Sequence, residues 1–246
     1  MPTIDPETLS ASLRRLSGVQ DEALEQALEH AVSACVDLFR VTGSGLMVAD
    51  DQNTLRYVAA SDGPGKQLEL IQTETGQGPC VDTFVHDTVV TTEDLAADRR
   101  WPVDHEAFAG LGVRAMMGVP VRLGGIVVGS LDVYRDSPGT WDATEVAALQ
   151  RYSDVIEATM HAALRAHSAG ELADQLQYAL DYRVVIERAV GYLMGRDGVD
   201  AVAAFDVLRR AARNQRRRIA DVAQQLLDTG TTTGPPAGAT RRPPGR

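Results

Sequence analysis

Residues 179–227 read ALDYRVVIERAVGYLMGRDGVDAVAAFDVLRRAARNQRRRIADVAQQLL, and their periodicity decides the C-terminal architecture. Asp200 is placed to cap a helix AVAAFDVLRRAARNQ, whose Ala204, Phe205, Leu208 and Ala211 or Ala212 share one face. The following RRRIADVAQQLLD sets Ile219, Val222, Ala223 and Leu226 at the same helical spacing. Upstream, Leu172, Leu176, Ala179, Arg183, Ile186, Val190 and Leu193 form a third stripe. Three amphipathic stripes with short connections predict a three-helix bundle over residues 172–229. Residues 230–246 hold no large apolar anchor and are expected to form a disordered tail.

Toward the N-terminus, Asp142 and Glu145 have the spacing of a capping box. From there Val146, Leu149, Ser153, Ile156, Met160 and Ala163 follow a heptad-like 3-4 spacing, and the phase shifts at HSAG, residues 167–170, where Gly170 weakens the helix. Read as one element with the stripe that runs on to Leu193, roughly 50 residues make a rod of about 75 Å. Such a helix is expected to be a coiled-coil connector, residues 142–171, forming the seam of a parallel homodimer.

Before Asp142 the pattern changes. Residues 1–17 read as an N-terminal extension, and residues 18–141 as a separate domain. DEALEQALEHAVSACVDLFR, residues 21–40, is an amphipathic helix. GSGLMVAD and TLRYVAAS, joined by Asp51, Gln52 and Asn53, make a β-hairpin. After Gly/Pro punctuation at 63–65 comes a helical LELIQTETG, then GQGPCVDTFVHD with helical spacing after its glycines. TVVTTEDL reads as a strand, and RAMMGVPVRLGGIVVGSLDVYR as a hairpin turning at Gly124-Gly125. The fold class is therefore α+β, an antiparallel sheet flanked by helices.

Charge is divided unevenly along the 246 residues. The net charge is −10, yet residues 1–174 hold 12 basic and 27 acidic side chains, and residues 175–246 hold 12 basic and 7 acidic. An acidic body joined to a basic end implies two tasks. No window approaches the roughly 18 apolar residues of a membrane span, and the first 20 residues lack a secretory signal core. Two cysteines are too few for a disulfide framework or a cysteine zinc site, and His86 does not complete a metal site with Cys80. These features leave a soluble cytoplasmic protein with no metal. Phosphate-loop, H-E-x-x-H and G-x-S-x-G motifs are missing, and the carboxylates are scattered without a paired histidine or nucleophile. The reading is of a protein that is not an enzyme and has no catalytic residue.

Several residues carry a family resemblance. Arg183, Ile186, Ala189, Gly191, Leu193 and Met194, then Ala204, Phe205, Leu208 and Arg209, then Arg217, Ile219, Asp221, Val222 and Ala223 match the spaced pattern of the ANTAR domain. Residues 18–165 resemble a GAF domain through GQGPCVDTF (76–84), the DL…RWP run (94–102), GVRAMMGVPVRLGG (112–125) and GSLDVYRDSPG (129–139). The order resembles GAF–ANTAR transcription antitermination regulators of actinobacterial type. The resemblance implies a dimer that binds paired stem-loops with six-base loops in nascent transcripts, so that the competing terminator hairpin does not form. It also implies a small-molecule sensor. Val190 stands where the family commonly has Lys, and Arg216 where it has Asn.

RNA recognition needs cations for phosphates and a close surface for unstacked bases. Arg183, Arg188, Arg209, Arg213, Arg216, Arg217 and Arg218 supply the cations, in a run that also contains Arg210. Ala189, Gly191 and Ala212 either pack helices together or let a base lie against backbone. Tyr178, Tyr182 and Tyr192 are candidates for stacking. In the sensor half, Cys80 sits at an expected helix start, where the dipole would lower its pKa; the alternative is a small buried residue. Trp101, Arg114, Arg122, Asp132 and Tyr134 fall on segments expected to border a ligand pocket, and the two arginines suit an anion such as a cyclic mono- or dinucleotide. The expected function is ligand-regulated antitermination. The alternative is a small-molecule or redox-sensing adaptor whose basic end binds an acidic protein.

Overall fold

A computed structural model describes residues 4–17, 24–50, 54–102, 108, 110–165 and 171–232. In chain order the elements are α1 (Pro6–Ser17), α2 (Leu24–Phe39), β1 (Gly43–Ala49), β2 (Leu55–Ala60), α3 (Gly63–Thr75), α4 (Pro79–His86), β3 (Val90–Thr92), β4 (Ala115–Leu123), β5 (Ile126–Arg135), α5 (Ala143–Arg165), α6 (Glu171–Asp197), α7 (Ala201–Gln215) and α8 (Ile219–Thr229). They form two compact units, Met1–Asp181 and Tyr182–Arg246. The turn at 51–53, the phase break at 167–170 and the tail beyond 232 lie outside the described residues.

In the first unit the five strands run in the order β2-β1-β5-β4-β3, with every neighbouring pair antiparallel. The mixed α+β expectation therefore holds. Gly124 and Gly125, at φ 61° and 82°, make the tight turn between β4 and β5. Alternation along the strands sorts side chains between two helical layers. Met117, Val119, Val121, Leu131 and Val133 join Leu28, Val32, Cys35 and Phe39 of α2 and Leu149, Tyr152, Ile156 and Met160 of α5 in one core. The intervening Gly118, Ser130, Asp132 and Tyr134 lie on the other face, where α3 and α4 pack. With both faces covered, β1 is buried throughout, and its sequence shows no polar alternation.

Local signals are met in atomic detail. Asp142 Oδ1 accepts from Glu145 N at 2.9 Å, and Glu145 Oε2 accepts from Asp142 N at 3.0 Å, completing the capping box. Two boundaries differ from expectation. The punctuation at 63–65 belongs to α3 itself, because Asp62 caps it and Pro64 fits its first turn. The strand read across TVVTTEDL shortens to Val90–Thr92. Most of the N-terminal extension forms α1, held to α5 by a 2.5 Å hydrogen bond between Ser12 Oγ and Tyr152 Oη.

The long rod is corrected. Both His161 and Leu180 approach within 4.0 Å of the position a Cβ on Gly124 would take. On a straight helix they would stand about 28 Å apart. The first turns of α6 instead return to the first unit, where Leu176 is fully buried. The expected dimer seam is corrected with it. Leu149, Ile156 and Met160 are buried in the unit's own core, and Ser153 donates to Pro120 O at 2.7 Å. A 3-4 stripe describes any core-facing helix, and here the sheet is its partner.

In the second unit Ile186, Ala189 and Leu193 of α6, Ala204, Phe205, Leu208 and Ala212 of α7, and Ile219, Val222, Ala223 and Leu226 of α8 are buried. Asp200 caps α7 by accepting from Ala203 N at 2.8 Å. The chain leaves α7 through Arg216, held at φ 52°.

Candidate functional site

The basic end presents its arginines in two different ways. Arg188, Arg213, Arg216 and Arg218 are exposed, the last three around the α7–α8 turn. Arg183 and Arg209 are not: their side chains are 6% and 10% exposed and pair with Glu187 at 3.1 Å and Asp206 at 2.8 Å. Arg210, more exposed, also reaches Asp206, at 3.0 Å. Arg217 spans the turn, donating to Gln215 Oε1 at 3.1 Å, to Gln225 Oε1 and to Asp221 O at 3.2 Å. Arg183, Arg209 and Arg217 therefore brace the bundle, while Arg188, Arg210, Arg213, Arg216 and Arg218 are exposed on its surface.

Of the small residues, Ala189 and Ala212 are buried, so they pack the helices and do not offer a surface to a base. Gly191 is exposed, and a Cβ there would meet nothing within 4 Å. It shares an α6 face with Val184, Arg188 and Gly195, because steps of three, four and seven residues return to one side of a helix. Tyr182, Val184, Tyr192 and Met194 are the exposed large apolar residues of this unit among the described residues. The Arg196 guanidinium lies 5.6 Å from the Tyr192 ring centroid. Sequence reading missed Val184 and Arg196, and took Met194 only as part of the domain pattern; the signal available was their place off the buried stripe.

In the first unit the predicted residues separate. Arg114 makes a two-pronged pair with Asp94, at 2.9 and 2.7 Å, and Arg122 pairs with Asp87 at 2.5 Å; both are more than a third exposed. Neither joins the buried polar cluster described next. Trp101 is buried, donates to Asp82 Oδ2 at 3.0 Å and carries Arg100 over its ring. Tyr134 donates to Asp62 Oδ1.

Cys80 and Asp132 do come together, with Glu69, which the sequence reading missed. All three are at most 1% exposed, and one ligand atom from each lies within 4.8 Å of the others. Gln72 clamps Cys80, accepting from its backbone N at 2.8 Å and donating to Sγ at 2.8 Å. The thiol stands 3.4 Å from Glu69 Oε2. Burial, then the Asp132 and Glu69 carboxyls beside it, push the Cys80 thiol well above its usual pKa, which overturns the expected lowering by the helix start. Burial also raises Asp132 to about 7 and Glu69 well above the carboxylate range. Period-2 alternation in SLDVY was the available signal, since it turns Asp132 away from the face of Leu131 and Val133.

Comparison with known proteins fits this geometry. Solved structures with the same fold include the GAF domain of an Acinetobacter phosphoenolpyruvate-protein phosphotransferase, at 17% identity and TM-score 0.51, covering 65% of this chain and 98% of that one. Free methionine-R-sulfoxide reductase from Neisseria meningitidis matches at 18% identity and TM-score 0.52, covering 65% and 90%. A phycoerythrobilin-bound GAF domain from a cyanobacterial phytochrome matches at 14% identity and TM-score 0.55, covering 66% and 100%. No curated protein matches the chain. No helix among the described residues is long and apolar enough to cross a membrane. The GAF domain model matches residues 23–160 and the ANTAR domain model residues 174–227. A ligand-sensing domain thus precedes an RNA-binding antitermination domain, and the chain belongs to the GAF domain family in its GAF–ANTAR regulator form.

Proposed function

We propose that this protein is a ligand-regulated antiterminator that acts as a homodimer on paired stem-loops with six-base loops. Each bundle engages one loop, with Arg188, Arg213, Arg216 and Arg218 on phosphates and the exposed Gly191 face against unstacked bases. Two linked bundles gain effective concentration for the second loop, so the pair binds more tightly than either alone. Occupancy of the RNA then competes with the terminator hairpin, while a small molecule held by the sensor domain biases the bundles.

The observation that carries the reading is the course of α6. One uninterrupted helix gives Leu176 to the sensor core and Ile186, Ala189 and Leu193 to the bundle core. Leu176 is thus the residue through which we expect a small molecule in the sensor domain to act on RNA affinity. The test is a gel-shift titration of the full chain with a two-stem-loop RNA, with the same RNA carrying scrambled loops, and with a single stem-loop. Binding at least tenfold weaker for the scrambled and single-loop forms is expected. Equal affinity for all three would reduce the interaction to charge attraction. Absence of binding at any salt concentration would favour an adaptor that docks an acidic protein.

A further inference from the structure

The buried cluster opposite the main sensor core is built like a coordination site. Glu69 from α3, Cys80 from α4 and Asp132 from β5 converge from three elements, with one thiol and two carboxyl groups mutually within 4.8 Å. Among the described residues neither carboxyl has a cationic partner. A cluster of acids alone would carry no weight, but two further observations point to an occupant. Asp132 Oδ2 and Thr83 Oγ1 are buried with no hydrogen-bond partner, in residues that are 0% exposed. Leaving such groups unsatisfied costs roughly 1–3 kcal/mol each. The surrounding backbone is also cut back to admit the acidic oxygens. A Cβ on Gly118 would stand 2.5 Å from Asp132 Oδ1 and 2.8 Å from Thr83 Oγ1, and one on Gly45 would stand 2.5 Å from Glu69 Oε1.

We propose that Glu69, Cys80 and Asp132 bind one divalent first-row transition-metal ion, of which zinc is representative, inside the sensor domain. The donor set selects the metal class. A thiolate disfavours magnesium and calcium, which prefer all-oxygen surroundings, and suits zinc and its neighbours. Zinc takes sulfur at about 2.3 Å and carboxylate oxygen at about 2.0–2.2 Å, which the three side chains reach with shifts of about an ångström. Three protein ligands leave a fourth tetrahedral position, which the Thr83 hydroxyl or a small exogenous ligand would fill. On coordination the thiol proton and any carboxyl proton leave to solvent, and the ion takes their place. No redox step is involved. The inference is independent of RNA recognition.

The test uses the full chain expressed in zinc-supplemented medium, desalted and assayed by elemental mass spectrometry. About one zinc per chain is expected, retained against excess magnesium. Glu69→Gln and Asp132→Asn keep side-chain volume, and folding is checked by circular dichroism; each should lower zinc content at least tenfold. Gly118→Ala, which pushes a methyl group against Asp132 and Thr83, should do the same. Refolding with cobalt should give a thiolate-to-cobalt charge-transfer band that is lost in Cys80→Ser. The proposal falls if the wild-type chain holds less than about a tenth of an equivalent of zinc and shows no cobalt–thiolate band, or if the folded Gln and Asn variants keep the wild-type metal content. Should those variants fail to fold, the wild-type cobalt band decides: its presence supports the site and its absence overturns it.

Discussion

Arg216 combines strain with exposure. It ends α7 at φ 52°, where a side chain costs about 1–2 kcal/mol, and its amide donates back to Arg213 O at 3.1 Å. Glycine would hold the same turn without that cost. Arg216→Gly is therefore expected to stabilise the bundle by about 1 kcal/mol in urea unfolding. The same change removes a cation from the turn proposed to meet RNA, so affinity should fall and the salt-dependence slope should shrink by roughly 0.7–0.9. A variant more stable yet weaker in binding separates the two roles. A variant with unchanged RNA affinity would remove Arg216 from the interface.

At the level of elements, α5 is fixed at its start by the capping box and in its middle by Tyr152. Asp142→Ala should cost about 1 kcal/mol, read from the urea midpoint. Burial pushes the Tyr152 phenol up to about 12, against the opposing hydrogen bond from Ser12. The neutral phenol is the form the fold favours. Its contribution is complete below the ordinary phenol pKa of about 10, and is lost as pH rises through about 12. Thermal melts between pH 9 and 12 should thus decline less steeply in Tyr152→Phe than in the wild-type chain. The same helix shows what was legible in sequence. Its cap and buried stripe were, as were the Asp200 cap and the Gly124-Gly125 turn, because these signals sit within a few residues of one another. The partner of the stripe was not, since Leu149, Ile156 and Met160 have the same spacing whether a second chain or a sheet covers them. The meeting of Glu69, Cys80 and Asp132 was hidden for a related reason: only the sheet order and the packing of α3 and α4 bring them together.

For the whole molecule, charge partition bears on the salt dependence of the proposed RNA binding. The overall −10 conceals a basic end with 12 arginines among residues 175–246. If Arg188, Arg213, Arg216 and Arg218 each meet a phosphate, log affinity should fall with log salt at a slope of roughly −3 to −4 per bundle. Filter binding across a salt series measures it; a slope near zero would assign recognition to uncharged contacts. Helix α6 also settles where the chain can be divided: because Leu176 is buried in the sensor core, a fragment ending at Arg165 would uncover that core, and one carried on to Asp181 would keep it closed.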